Sequence, residues 1–309
     1  MVLILHRQPT EVDDSRMIQP TDDRPNVTPI PSITKDDHES GIYKWNNNKC
    51  KVFLLYCNES EIKVNGPSER MKTSEWEIHD LKKCLQRWLG EDVVDFKEYQ
   101  NFTKQMLTKL NKEIQDVAEN KKYDCFIFIF LTFGSQDKII FWDGEISVTN
   151  ILEPIKKETS MALKPKLFFI QSSDERLAIK EDVITKGGKD SKLPKYEMRR
   201  VPQEADVFIQ QCILPESLFP VKGKNDEYEC IFLTALMETV SSASTQLDIH
   251  QLSLKINAAV DKRLQTEQEK SKQENRETVD FDRLPIPEVT STLTKALYFP
   301  FHSLVQSQH

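Results

Sequence analysis

The sequence predicts an α/β fold, a sheet of buried strands with helices on both faces. Two observations predict it. Lys51–Tyr56, Asp124–Leu131 and Leu167–Ile170 are short apolar runs with no polar alternation. Such runs belong to strands covered on both faces, as in a parallel sheet. Between them lie stretches with apolar residues at helical spacing and charges on the opposite side, the pattern of helices that cover a sheet. The run at Leu167–Ile170 is decisive for function, because it breaks at once into Gln171-Ser-Ser173-Asp-Glu175. Ligand and catalytic groups of open α/β sheets gather where strands end in this way, at their carboxyl edge.

Residues 1–40 are rich in Pro, Asp, Thr and Ser without apolar period, the composition of a disordered arm. Lys51–Tyr56 is the first strand. Ser74–Leu89 carries Trp76, Leu81, Leu85, Trp88 and Leu89 at helical spacing, and Gly90 ends it. Val93, Val94 and Phe96 form a short strand. Phe102–Val117 is a second amphipathic helix. Asp124–Leu131 is the central strand, followed by Thr132-Phe133-Gly134. Lys138–Gly144 reads as a hairpin arm with its turn, and Ile146–Ile155 as a short helix. Residues 176–200, with Gly187, Gly188, Asp190 and Ser191 and no periodicity, form a linker. Val201–Ile209 begins the second half. Helices are predicted over 227–240 and 246–264, and the polar stretch 265–282 as a solvated loop.

Composition narrows the function. With 42 Lys and Arg against 49 Asp and Glu, the net charge is −7, which supplies no basic footprint for nucleic acid or an anionic membrane. The six cysteines, Cys50, Cys57, Cys84, Cys125, Cys212 and Cys230, never take C-x-x-C spacing. They predict reduced buried thiols, with neither a metal site nor a cofactor. The opening Met-Val-Leu-Ile-Leu is too short for a signal core, and no run reaches spanning length. A soluble cytoplasmic protein is expected.

Three segments carry a resemblance to one family. Lys164-Pro-Lys-Leu-Phe-Phe-Ile-Gln171 resembles the active-site strand of caspases, which ends Gln-Ala-Cys-x-Gly. Pro202-Gln-Glu-Ala-Asp206 resembles the Pro-x-Glu-Ala-Asp that opens their small subunit. Leu293-Thr-Lys-Ala-Leu-Tyr-Phe299 is similar to their last strand. The likeness spans about residues 42–300, in order and in spacing. It implies a caspase-like three-layer sandwich, a six-stranded, mostly parallel sheet with helices on both faces. Residues 41–175 would be the large-subunit-like half, 176–200 the inter-subunit linker and 201–309 the small-subunit-like half, behind the arm of 1–40.

The same resemblance locates the chemistry and finds it altered. Caspases cut after Asp, with a Cys activated by the His of a Ser-His-Gly triplet. The triplet here is Thr132-Phe133-Gly134, and Ser173 stands at the Cys position. Phenylalanine moves no proton, and an unactivated serine hydroxyl is a far weaker nucleophile than a thiolate. Gly134 keeps the glycine whose amide serves as an oxyanion donor in the family. Of the substrate pocket, Gln171 is kept, Arg70 fits only after a one-residue shift, and Lys224 keeps a charge without the planar fork of an arginine.

A pseudo-caspase is therefore expected, one that pairs with an active caspase as a heterodimer, or with itself. The expected seam is the last strand, through Pro287, Val289, Ser291, Leu293, Lys295, Leu297 and Phe299. Asp13 or Asp14 in the arm and Asp190 in the linker are candidate cleavage sites. Two rival readings are a weak Ser173-dependent hydrolase and a decoy that binds caspase inhibitors or serves as a caspase substrate.

Overall fold

The computed structural model describes residues 41–56 except 44 and 48, 75–173 except 120, 121, 135, 136, 142, 159, 160 and 162, and 206–299 except 216, 217, 219, 220, 223–227, 243–246, 275–278, 280, 282 and 283. Asp13, Asp14, Arg70, Asp190 and Lys224 lie outside the described residues.

The first strand, β1 (Cys50–Tyr56), is buried along its whole length. Helix α1 (Glu75–Leu89) follows, with Gly90 at φ 108 accepting the left-handed turn that ends it. Strand β2 (Val94–Gln100), helix α2 (Lys104–Glu119) and strand β3 (Cys125–Gly134) come next. A hairpin of β4 (Lys138–Phe141) and β5 (Gly144–Ser147) leads into α3 (Val148–Lys157), capped by the Ser147 hydroxyl accepting from the Asn150 amide. Strands β6 (Lys166–Ser173) and β7 (Val207–Leu214) follow, then two-residue strands β8 (Val221–Lys222) and β9 (Tyr228–Glu229). Helix α4 (Ile231–Ser242), strand β10 (Leu247–Asp248) and helix α5 (Ile249–Gln273) precede β11 (Glu288–Ser291) and β12 (Tyr298–Phe299).

The central sheet runs β11-β7-β6-β3-β1-β2. All its pairs are parallel except β11 with β7, and the β4–β5 hairpin hangs from the far end of β3. This is the expected six-stranded, mostly parallel sheet. The pairing of β6 with β7 joins the two expected halves in one sheet. Alternation inside the apolar runs sorts the side chains to two cores. Val52, Leu54, Ile127, Ile129, Leu167 and Phe169 meet α1, α4 and α5. Phe53, Phe126, Phe128, Phe130, Phe168 and Ile170 meet α2 and α3. Phe53, Phe128 and Phe168 are direct neighbours in register on β1, β3 and β6. Their rings stack 4.9 and 4.8 Å apart at 6° and 10°. That spacing is the distance between hydrogen-bonded strands, so the ladder packs without distorting the sheet.

Two expectations are corrected. The stretch after Leu264 is not a loop up to residue 282, because α5 continues to Gln273. Its Gln, Glu and Lys residues are good helix formers, Lys270 pairs with Glu267 at 2.6 Å, and only the need for an apolar stripe has ended. The C-terminal stretch is not one seam strand either. It lies on the sheet only over β11, turns at residues 292–296, and returns as β12 to pair with β10. Leu297 and Phe299 are fully buried, with the Phe299 ring 4.5 Å from that of Trp88. They fill this chain's own core instead of facing a partner. Pro287 is buried as well, its carbonyl accepting from Asn257 Nδ2 at 3.1 Å, and Leu293 packs half-buried against the core. Val289, Ser291 and Lys295 are exposed.

Candidate catalytic cleft and association edge

The parallel pairing of β3 with β6 sets Leu131 beside Gln171, Thr132 beside Ser172 and Phe133 beside Ser173. The two positions to which the resemblance assigns base and nucleophile are therefore strand neighbours at the carboxyl end of the sheet. Register sets these two positions side by side, one a phenylalanine and the other a serine. Ser173 is 3% exposed, and no described residue hydrogen-bonds its Oγ. A serine nucleophile needs a base within about 2.6–3.2 Å. Of the described histidines, His79 and His250 both lie exposed on helices, and His250 meets the ring of Phe208.

Cys212 lies one strand over, level with Gln171. Full burial pushes its thiol far up, away from the thiolate that attacks. Its position beside the site follows from the β6–β7 register, which sequence reasoning had no means to see.

Gln171 is corrected as a pocket residue. It is fully buried, and its Oε1 accepts from the Leu233 amide at 3.1 Å. Glu77, also fully buried, accepts from the Cys230 amide at 2.8 Å. Together they satisfy two of the amides left orphaned at the start of α4, where the helix dipole favours oxygen acceptors. Both residues cap a helix, and the Glu77 role carries no sequence signal, because its partner lies 153 residues away. Gly134 also has a structural cause. At φ 142 a Cβ would sit 2.0 Å from the carbonyl oxygen of Lys138, across the β3–β4 turn. Thr132 Oγ1 closes the same corner by donating to the Ile140 carbonyl at 2.7 Å. Among the described residues no group of three His, Cys, Asp or Glu could hold a metal, and no helix is long and apolar enough to cross a membrane.

A family model of the caspase domain matches residues 57–298. The chain belongs to the caspase family. It is 22% identical to caspase-6 of Gallus gallus, over 83% of each chain. Among solved structures it resembles pro-sf-caspase-1 at a TM-score of 0.64 and 22% identity, covering 84% of this chain and 94% of that one. Caspase-1 from Spodoptera frugiperda matches at 0.56 and 24%, covering 83% and 92%. These likenesses fix the caspase fold.

The two outer strands of this caspase sheet differ in character. Strand β2 is seven residues long and armoured with charge: Asp95 pairs with Lys122 at 2.8 Å, Lys97 with Glu113 at 3.0 Å and Glu98 with Lys82 at 2.5 Å. Hydrogen bonds from Lys122 and Tyr123 more than offset the burial that opposes the Asp95 charge, so its carboxyl sits below the usual range. Strand β11 is four residues long, and three of them, Glu288, Val289 and Ser291, are exposed. Val289 is 39% exposed and Ile286, just before the strand, 62%. Charge on a sheet edge deters pairing with another chain, and its scarcity permits it.

Proposed function

We propose that this caspase-family chain cuts no peptide bond and regulates caspase signalling by pairing with an active caspase along β11. One observation carries the first half. Phe133 and Ser173 are paired at the strand ends where the family's His and Cys act. One side chain has no proton to move, and the other is buried without a hydrogen-bonding base among the described residues. The contrast between the armoured β2 edge and the lightly charged β11 edge, with Val289 and the neighbouring Ile286 exposed, supports the second half. An antiparallel strand laid along β11 satisfies its outward backbone groups and extends the sheet into a partner. In such a mixed pair the inactive chain braces the active chain's loops across the seam and raises its turnover, and sequestration of the partner would lower it instead.

Co-expression with candidate caspases tests this reading. Size-exclusion chromatography should show a mixed dimer, and the partner's turnover should change when the chain is added. Val289→Asp should abolish both effects while leaving the fold intact. The purified chain should neither cleave an Asp-containing peptide nor react at Ser173 with a fluorophosphonate. Turnover by the chain alone, or indifference to every caspase offered, would refute the proposal.

A further inference from the structure

A strand of four residues at a sheet edge has few ladder bonds and frays unless its ends are held. Both ends of β11 are held, the start by side chains rooted in the core and the end by backbone bonds. At its start, Gln210 of β7, fully buried, donates to Asn257 Oδ1 at 2.7 Å, and Asn257 holds the Pro287 carbonyl. At its end, the Thr292 amide donates to the Val207 carbonyl at 2.7 Å, and the Asp206 amide donates to the Thr292 carbonyl at 2.9 Å. The turn that follows is gripped differently. The Thr294 hydroxyl donates to Asp206 Oδ1 at 2.5 Å, and the Thr294 amide donates to the Tyr43 hydroxyl at 3.1 Å. That same hydroxyl donates to Asp206 Oδ1.

Tyr43 comes from the opposite end of the sequence. It lies on a short stretch tied to the turn by backbone bonds. The Tyr43 amide donates to the Ala296 carbonyl at 3.0 Å, and the Ala296 amide to the Gly41 carbonyl at 2.7 Å. Asp206 needs this grip. It is 1% exposed and takes φ 68, a conformation uncommon for a residue with a side chain. Its buried carboxylate requires donors, and Tyr43 and Thr294 are two of them. Removing the Tyr43 hydroxyl therefore takes a donor from Asp206 and the acceptor from the Thr294 amide at one stroke.

We infer that the stretch from Gly41 to Tyr43 is part of the association edge, with Tyr43 the residue that positions the turn leaving β11. It rests on the proposed pairing along β11 and extends it to a residue far from that strand in the sequence.

Tyr43→Phe keeps the buried ring and deletes the hydroxyl. In the full chain, amide exchange at residues 292–296 should quicken by about tenfold while β1 and β3 exchange as before. The dissociation constant for self-association, or for pairing with Spodoptera frugiperda caspase-1 as the probe, should rise by about tenfold. Tyr99→Phe is the control: it removes a hydroxyl that donates to Glu113 at 2.8 Å on the far edge, and should leave association unchanged. Thr294→Val, at an exposed residue, cuts the same network should Tyr43→Phe fold poorly. Unaltered exchange at 292–296, association as tight as in the parent, or equal weakening by Tyr99→Phe overturns the inference. If the parent chain itself pairs with neither probe, the edge reading falls first and takes this role with it.

Discussion

The C-terminal stretch holds residues that the family pattern alone cannot sort into core and seam, and Phe299→Ala separates the two. Phe299 is fully buried, its ring lies 4.5 Å from Trp88 at a tilt of 32°, and its backbone pairs with Leu247. Truncating a buried phenylalanine costs about 3–5 kcal/mol, the lost transfer energy together with the cavity left behind. The tilted ring pair accounts for about 1 kcal/mol of such a loss. Val289→Asp, on the exposed edge at 39% exposure, should cost no more than about 0.5–1 kcal/mol, as surface changes do. Urea unfolding followed by tryptophan fluorescence measures both. With a slope of roughly 3 kcal/mol per M for a domain of this size, Phe299→Ala should lower the midpoint by about 1–1.7 M at unchanged slope. Val289→Asp should move it by less than about 0.4 M. A Phe299→Ala midpoint within about 0.3 M of the parent would place that ring at the surface and return the whole stretch to the seam.

Two further outcomes follow from the β3–β4 corner and the buried phenols. Gly134→Ala should lower the melting temperature by roughly 2–12 °C, because its Cβ would meet the Lys138 carbonyl and the strained backbone costs about 1–3 kcal/mol; a shift under about 1 °C would show that the corner relaxes freely. On the alkaline side, burial and the bond to Asp206 push the Tyr43 phenol up to about 12, and burial with a carboxylate neighbour raises Tyr99 and Tyr123 too. The unfolded chain releases these protons near pH 10, so between about pH 10 and 12 the folded state binds more protons than the unfolded one and stability falls as pH rises. Melting temperatures should hold level to about pH 9 and then decline, less steeply in Tyr43→Phe; a level profile through pH 12 would refute the assignment.

Strands β1, β3 and β6 were legible because burial on both faces leaves no polar residue to interrupt them. The hairpin, α1 and α2 were legible from spacing and from Gly90. The site was legible as identities in order, Phe133 and Ser173, because the β3–β6 register joins positions that each end an apolar run. What remained hidden depends on partners far along the chain. Nothing near Gln171 announces that it caps α4 through Leu233, nor near Glu77 that it does so through Cys230. Leu297 and Phe299 are apolar whether they serve a core or a seam, and only the turn held by Asp206, Thr294 and Tyr43 decides between them. Helix α5 outruns its apolar stripe because propensity and capping carry it after packing ends.

The ion pairs along β2 bear on how assembly stops. A molecule with two receptive borders can add neighbours without limit and grow into a fibre, whereas a single receptive border closes on one mate. Lys82, Lys97 and Lys122, tied to the carboxylates around β2, guard that described border, so on the proposed pairing along β11 a single receptive border is left. Neutralising them would give it a second, and the product of association would change from pairs to polymers.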